Sequence, residues 1–193
     1  TGPWAFSPAT DSPLKEERSE GWEIGLRDVT GAVTWDLTYF NQQITDAIIV
    51  DLVNYSGYVQ IAGESESTGI VASVDWQLAE RFSVGGFVSQ LDAEDSQGAR
   101  LPYRPELTMQ LNARYNDGDS SWMLIARHTA DRVDEFGSAL SDHTVMDATF
   151  SRKVTGSISL SVRAENLTNQ AYTDIAGYRS PRRALYVGVK LAI

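Results

Sequence analysis

The 193-residue chain has no cysteine. That excludes a disulfide framework and any thiolate metal site. Two histidines, with no cysteine beside them, are too few for a dedicated structural metal centre. No run of about 18 apolar residues occurs, so no transmembrane helix is expected. Transmembrane strands escape that test, because each needs only about 9–11 residues and half of them are polar. Positive charge is scarce: 16 Lys and Arg stand against 26 Asp and Glu, a net charge of −10. Such a chain lacks the basic footprint that nucleic acid requires. No phosphate-cradling glycine loop is present, and no cofactor is expected. The opening residues, Thr1 to Phe6, show no basic segment leading into an apolar one. For an exported protein that pattern suggests a mature form or a fragment.

What the chain does have is alternation. Near the C-terminus Leu185, Val187, Val189, Leu191 and Ile193 share one face, with Tyr186, Gly188, Lys190 and Ala192 opposite. A period of two is a strand, since successive side chains point to opposite faces. Nine segments read this way: 20–27, 33–40, 68–77, 82–88, 107–115, 122–129, 146–151, 158–165 and 183–193. The expected fold is all-β, an antiparallel meander of about nine strands. The assigned apolar face is read as carrying no Asp, Glu, Lys or Arg, with His128 its only ionisable exception. The other face holds Glu23, Asp36, Asp75, Arg114, Arg127, Asp147, Arg163, Glu165 and Lys190. The segment 122–129 has the weakest pattern, with Met123 and Ile125 on the polar side.

Connection lengths also alternate. Short turns fall near residues 30, 80, 118 and 155; long connections span 46–63, 93–103, 131–142 and 166–182. Short turns on one side and long loops on the other is the asymmetry of outer-membrane barrels, periplasmic and extracellular respectively. The apolar face would then meet lipid and the charged face a wet lumen. Trp22, Trp35, Tyr39, Trp76, Tyr115, Trp122 and Phe150 would suit interfacial girdles. The competing reading is a soluble sandwich with the same residues in its core. On the barrel reading the C-terminus is periplasmic, and residues 1–18 form an extracellular loop ahead of strands over 19–193.

Four stretches carry a family resemblance. Leu14 to Leu26, Ile61 to Ile70, Val162 to Tyr172 and Gly177 to Arg183 resemble, in order, recurrent strand and loop motifs of TonB-dependent outer-membrane receptors. Asn166-Leu167-Thr168 reads as this family's Asn-Leu motif rather than as a glycosylation site. Departures are Ile193 for the usual terminal aromatic, Arg182 for a glycine and Thr168 for an aromatic. The resemblance implies a barrel of about 22 strands around a plug. This chain would be the C-terminal part of that barrel, with the plug and roughly the first thirteen strands absent.

The resemblance further implies energised uptake of a scarce nutrient, most often an iron–siderophore complex. The partners it implies are outer-membrane lipid, a small-molecule chelate and, through the missing N-terminal part, the TonB–ExbB–ExbD energy-coupling complex. The cell would be a Gram-negative bacterium. Ligands of the family bind at the extracellular mouth. The candidates here are Tyr55, Tyr58, Gln60, Arg100, Tyr103, Arg104, Arg132, Glu135, Tyr172, Tyr178 and Arg179. Aromatic rings and guanidinium groups suit flat, anionic chelates by stacking and charge-assisted hydrogen bonds. A passive porin and an outer-membrane hydrolase are the alternatives. The hydrolase would need a shared proton near His143 or His128, but Asp142 and His143 are neighbours in sequence and should point apart. No metal site is expected; Glu64 and Glu66 suit a solvated strand end.

Overall fold

The computed structural model describes residues 14–51 and 57–191. No helix occurs among them. The strands are β1 Arg18–Thr30, β2 Val33–Thr45, β3 Ile48–Val50, β4 Tyr58–Gln60, β5 Glu64–Ala79, β6 Phe82–Glu94, β7 Leu107–Asn116, β8 Ser120–Ala130, β9 Arg132–Val133, β10 Ala139–Leu140, β11 His143–Lys153, β12 Ile158–Glu165 and β13 Ala184–Leu191. Nine form one antiparallel sheet in the order β1-β2-β5-β6-β7-β8-β11-β12-β13. Each neighbour is the next long strand along the chain, which is a meander. The other four make two small hairpins, β3–β4 and β9–β10, inside long connections. Those strands have only two or three residues, too few to show a period in the sequence.

Register fixes the faces, because directly opposed residues share one. Leu37, Ala72, Val88, Met109 and His128 form one row across adjacent strands. Trp35, Val74, Gly86, Leu111, Ala126 and Met146 form the next. Phe82, Tyr115, Trp122 and Phe150 make an aromatic row beside the short turns, with Trp122 and Phe150 centroids 4.1 Å apart. Trp22 and Tyr39 pack 5.4 Å apart at the opposite, long-loop end. Aromatics thus flank the apolar rows at both ends.

No second layer covers this face among the described residues. Leu111, in the middle of the sheet, is 62% exposed, and no large side chain is fully buried anywhere described. The buried apolar residues are Ala93, Ala130, Val133 and Val145, all near the long loops. A sandwich would instead bury one face against a second sheet about 10 Å away. Among the large apolar residues that stay exposed on interior strands are eight on β5 to β8: Ile70, Val74, Trp76, Val88, Met109, Leu111, Trp122 and Leu124. Full burial of one such side chain is worth about 1.5–3 kcal/mol. Even half of that, over eight, rivals the roughly 5–15 kcal/mol that holds a whole domain folded.

Apart from His128, charged residues enter the apolar face only at its ends. Asp28 stands opposite Trp35 and caps the first turn, accepting from the Val29 N–H at 2.8 Å and the Thr30 hydroxyl at 2.8 Å. Arg152 lies beside Leu160 at the short-turn end, and Glu66 and Glu94 pair at the long-loop end. On the other face, Met123 and Ile125 do sit among polar neighbours, opposite Arg114 and Asn112. Gly69 lies on this second face beneath Phe40; a Cβ there would meet the ring at 2.6 Å. The terminal Ile193 lies outside the described residues.

Candidate ligand-binding loops

The long connections are 46–63, 95–106, 131–142 and 166–183, all at one end of the sheet; the opposite end has turns of two to four residues. The last three long connections interlock, and the sequence-selected residues form much of the interlock. Arg100 holds Glu106 at 2.7 Å and donates a second hydrogen bond to the Asp131 carbonyl. Tyr103 adopts a left-handed backbone (φ 58°), uncommon for a non-glycine residue. Its N–H donates to the Val133 carbonyl at 2.9 Å and its hydroxyl donates to the Glu135 carboxylate. That carboxylate raises the Tyr103 phenol above its ordinary range, with burial adding to the effect; the Ala176 backbone opposes it. One tyrosine therefore joins the 95–106 and 131–142 connections.

Arg132 is 5% exposed. Its Nη2 donates to the Ser141 carbonyl at 3.1 Å, the Thr173 carbonyl at 3.2 Å and His143 Nδ1 at 3.0 Å. Its Nη1 donates to Asp174 at 3.3 Å, and Nε is buried without a partner. Tyr172 stacks on His143, centroids 4.3 Å apart. His143 lies beyond the apolar band, which on β11 starts at Met146. Burial, and then the adjacent Arg132, hold the imidazole below its usual histidine range, with Asp174 pulling the other way. Because a guanidinium only donates, Nδ1 must be the acceptor and the ring is neutral. Its lone pair is thus occupied and does not face Ser141 or Asp142 as a base. Asp142 instead accepts the Asp131 N–H at 3.0 Å, the divergence expected of strand neighbours.

Asn166 anchors the last loop. It is buried with φ 48°. Its amide donates to the carbonyls of Gln170 (2.9 Å) and Pro181 (3.1 Å), while its side-chain oxygen accepts the Gln170 N–H at 2.8 Å. The Asn166 N–H reaches Asp147 at 2.8 Å, and Asp147 also pairs with Arg127 on the polar face.

The other selected residues lie apart from this interlock. Gln60 ties the first long loop to Lys15, through Nε2 to its carbonyl at 3.0 Å and Oε1 from its N–H at 2.8 Å. Tyr58 sits in β4 opposite Val50. Arg104, Tyr178 and Arg179 are exposed. Tyr55 lies outside the described residues. A cleft of about 680 Å³ opens between the β9–β10 hairpin and the last loop, lined among others by Ser141, Tyr172, Thr173, Arg179 and Arg182. His143, Asp174 and Asn166 were not among the selected residues. Asn166 lies inside a motif quoted for the family resemblance; nothing local in the sequence signals that His143 and Asp174 meet.

Residues 2–167 match the family described as TonB dependent receptor-like, beta-barrel. The chain is 24% identical over 188 residues to the vitamin B12 transporter BtuB of Vibrio cholerae, covering 91% of this chain and 30% of that protein. In structure it is similar to the copper transporter OprC, with a TM-score of 0.78 at 16% identity over 93% of this chain and 32% of that one. It is also similar to the ferripyoverdine receptor of the outer membrane of Pseudomonas aeruginosa, with a TM-score of 0.74 at 17% identity over 99% and 29%. The chain spans about 30% of the length of the curated relatives it matches. A nine-stranded meander with one uncovered apolar face, matched over most of its length, belongs to the β-barrel of the TonB-dependent receptors.

Proposed function

We propose that this chain is the C-terminal part of the barrel of an outer-membrane active transporter for a scarce nutrient, an iron–siderophore complex before others. The observation that carries the reading is the family match on a sheet whose apolar face has no covering layer among the described residues. On this reading the apolar face meets acyl chains and the polar face lines the lumen. Residues 19–193 supply nine of about 22 strands. The long loops are extracellular and the C-terminus periplasmic. Upstream of Thr1 lie the remaining strands, a plug, and a segment that engages TonB–ExbB–ExbD in a Gram-negative cell.

Ligand contact is assigned to the loops. Tyr58, Arg104, Tyr178 and Arg179 supply rings and charges to an anionic chelate, while Arg100, Tyr103, Arg132 and Tyr172 hold the loops that present them. The last long loop, 166–183, is basic although the chain as a whole is acidic: Arg179, Arg182 and Arg183 stand against the single acid Asp174, which favours an anionic cargo. The test is uptake of radiolabelled ferric siderophores by cells carrying the complete receptor, with cobalamin and copper as parallel cargoes. Uptake of a ferric chelate that stops when TonB is deleted is the expected result. Uptake of cobalamin or copper alone would reassign the cargo. Uptake that persists without TonB would favour the passive porin.

A further inference from the structure

The two sides of the cleft between the β9–β10 hairpin and the last loop are tied by one cluster, which its lining residues Ser141, Tyr172 and Thr173 share with the buried Arg132 and His143. Arg132 comes from the hairpin, His143 from the head of β11, and Tyr172, Thr173 and Asp174 from the last loop. Every bond from the hairpin to that loop in this cluster passes through the Arg132 guanidinium, and His143 is wedged between the guanidinium and the Tyr172 ring.

The hydrogen-bond inventory makes this arrangement sensitive to one proton. Arg132 Nη2 donates to His143 Nδ1, so that nitrogen must carry a lone pair. A proton on Nδ1 would set two donors, both cationic, 3.0 Å apart in a buried site. The groups facing the imidazole are Arg132 from β9, Asp174 and Tyr172 from the last loop, the Ser141 carbonyl and, at longer range, His128 from β8. Asp174 Oδ1 lies 3.7 Å from Nε2 and favours the charged ring, but Asp174 is over half exposed and already shared with Arg132. Arg132 and His128 oppose it, as does burial.

We infer that His143 and Arg132 form an acid-released latch that holds the last loop against the β9–β10 hairpin at neutral pH and frees it on acidification. Protonation removes the Arg132–His143 contact and drives the guanidinium from its seat. The bonds to Thr173 and Asp174 leave with it, and the two sides of the cleft are no longer tied. The device concerns the walls alone and holds whatever the cargo is.

The test uses pairs of nitroxide labels in the complete receptor reconstituted in phosphatidylcholine vesicles. The label sites are Phe136→Cys at the hairpin tip and Ile175→Cys in the loop, both exposed. This chain has no native cysteine to compete. Pulsed electron resonance between pH 7.5 and 4.5 should give a narrow distance distribution that broadens with a midpoint below the ordinary histidine value of about 6.5. His143→Gln keeps an acceptor for Arg132 and cannot gain the proton, so its distribution should stay narrow throughout. His143→Lys should be broad even at pH 7.5. A distribution in the unsubstituted receptor that does not change down to pH 4.5 overturns the latch on its own. Broadening in His143→Gln equal to that of the unsubstituted receptor overturns it as well, by assigning the transition to the carboxylates.

Discussion

Replacing Leu111 by arginine separates a lipid-facing sheet from a water-facing one. Leu111 is 62% exposed, sits near the middle of β7 and has only Gly86 and Ala126 beside it in its row. In water, arginine at so open a position would change stability by no more than about 0.5 kcal/mol. In a bilayer, an arginine on the lipid face at mid-depth costs about 2–4 kcal/mol. At about 1.4 kcal/mol per tenfold, that lowers the folded-to-unfolded ratio roughly 30- to 700-fold. The control is the next residue. Asn112 projects from the opposite face, in a row that also holds Asp75 and Asp147, where arginine would gain favourable charge rather than lose solvation. Urea titrations of the complete receptor folded into lipid vesicles, with heat-modifiable gel mobility as readout, would compare the two. Loss with Leu111→Arg and near-neutrality with Asn112→Arg is expected. Equal effects, in either direction, would refute the facing assignment.

Other outcomes follow from local geometry. Asn166→Ala strands the buried amide partners at Gln170 and Pro181, should cost about 1–3 kcal/mol, and should expose residues 167–182 to limited proteolysis. Gly69→Val forces a Cβ against Phe40 at 2.6 Å and the Gln90 carbonyl at 2.9 Å, so assembled receptor should fall, with partial recovery in combination with Phe40→Ala. Arg127→Gln breaks a partly exposed ion pair and should shift the unfolding midpoint by less than about 1 kcal/mol, whereas Asp147→Ala also releases the Asn166 N–H and should cost more. Arg179→Glu should weaken chelate binding by whole cells without altering assembly, since Arg179 lines the cleft and is exposed.

Alternation exposed the sheet in the sequence because each long strand repeats its pattern over eight or more residues. The split between apolar and charged faces was legible for the same reason, and register bears it out row by row. Even the weak strand was placed correctly, since Trp122 and Leu124 hold its phase while Met123 and Ile125 sit among polar neighbours. The ends were not legible. Asp28 enters the apolar face because its carboxylate caps a turn, and no periodicity reveals a cap. The loop site was legible by residue type but not by contact. Tyr103 meets Glu135 across 32 positions, and Arg132 meets Asp174 across 42. Such pairs depend on how folded loops converge, information that no local spacing carries.

The central claim, that the apolar face touches acyl chains, is tested most directly by a nitroxide scan of residues 107–115 in the vesicle-reconstituted receptor. Collision rates with oxygen, which partitions into lipid, and with a water-soluble nickel chelate should alternate along the strand. Positions 107, 109, 111 and 113 should favour oxygen, and 108, 110, 112 and 114 the chelate. Odd-numbered positions closed to both reagents, or open chiefly to the chelate, would contradict the account.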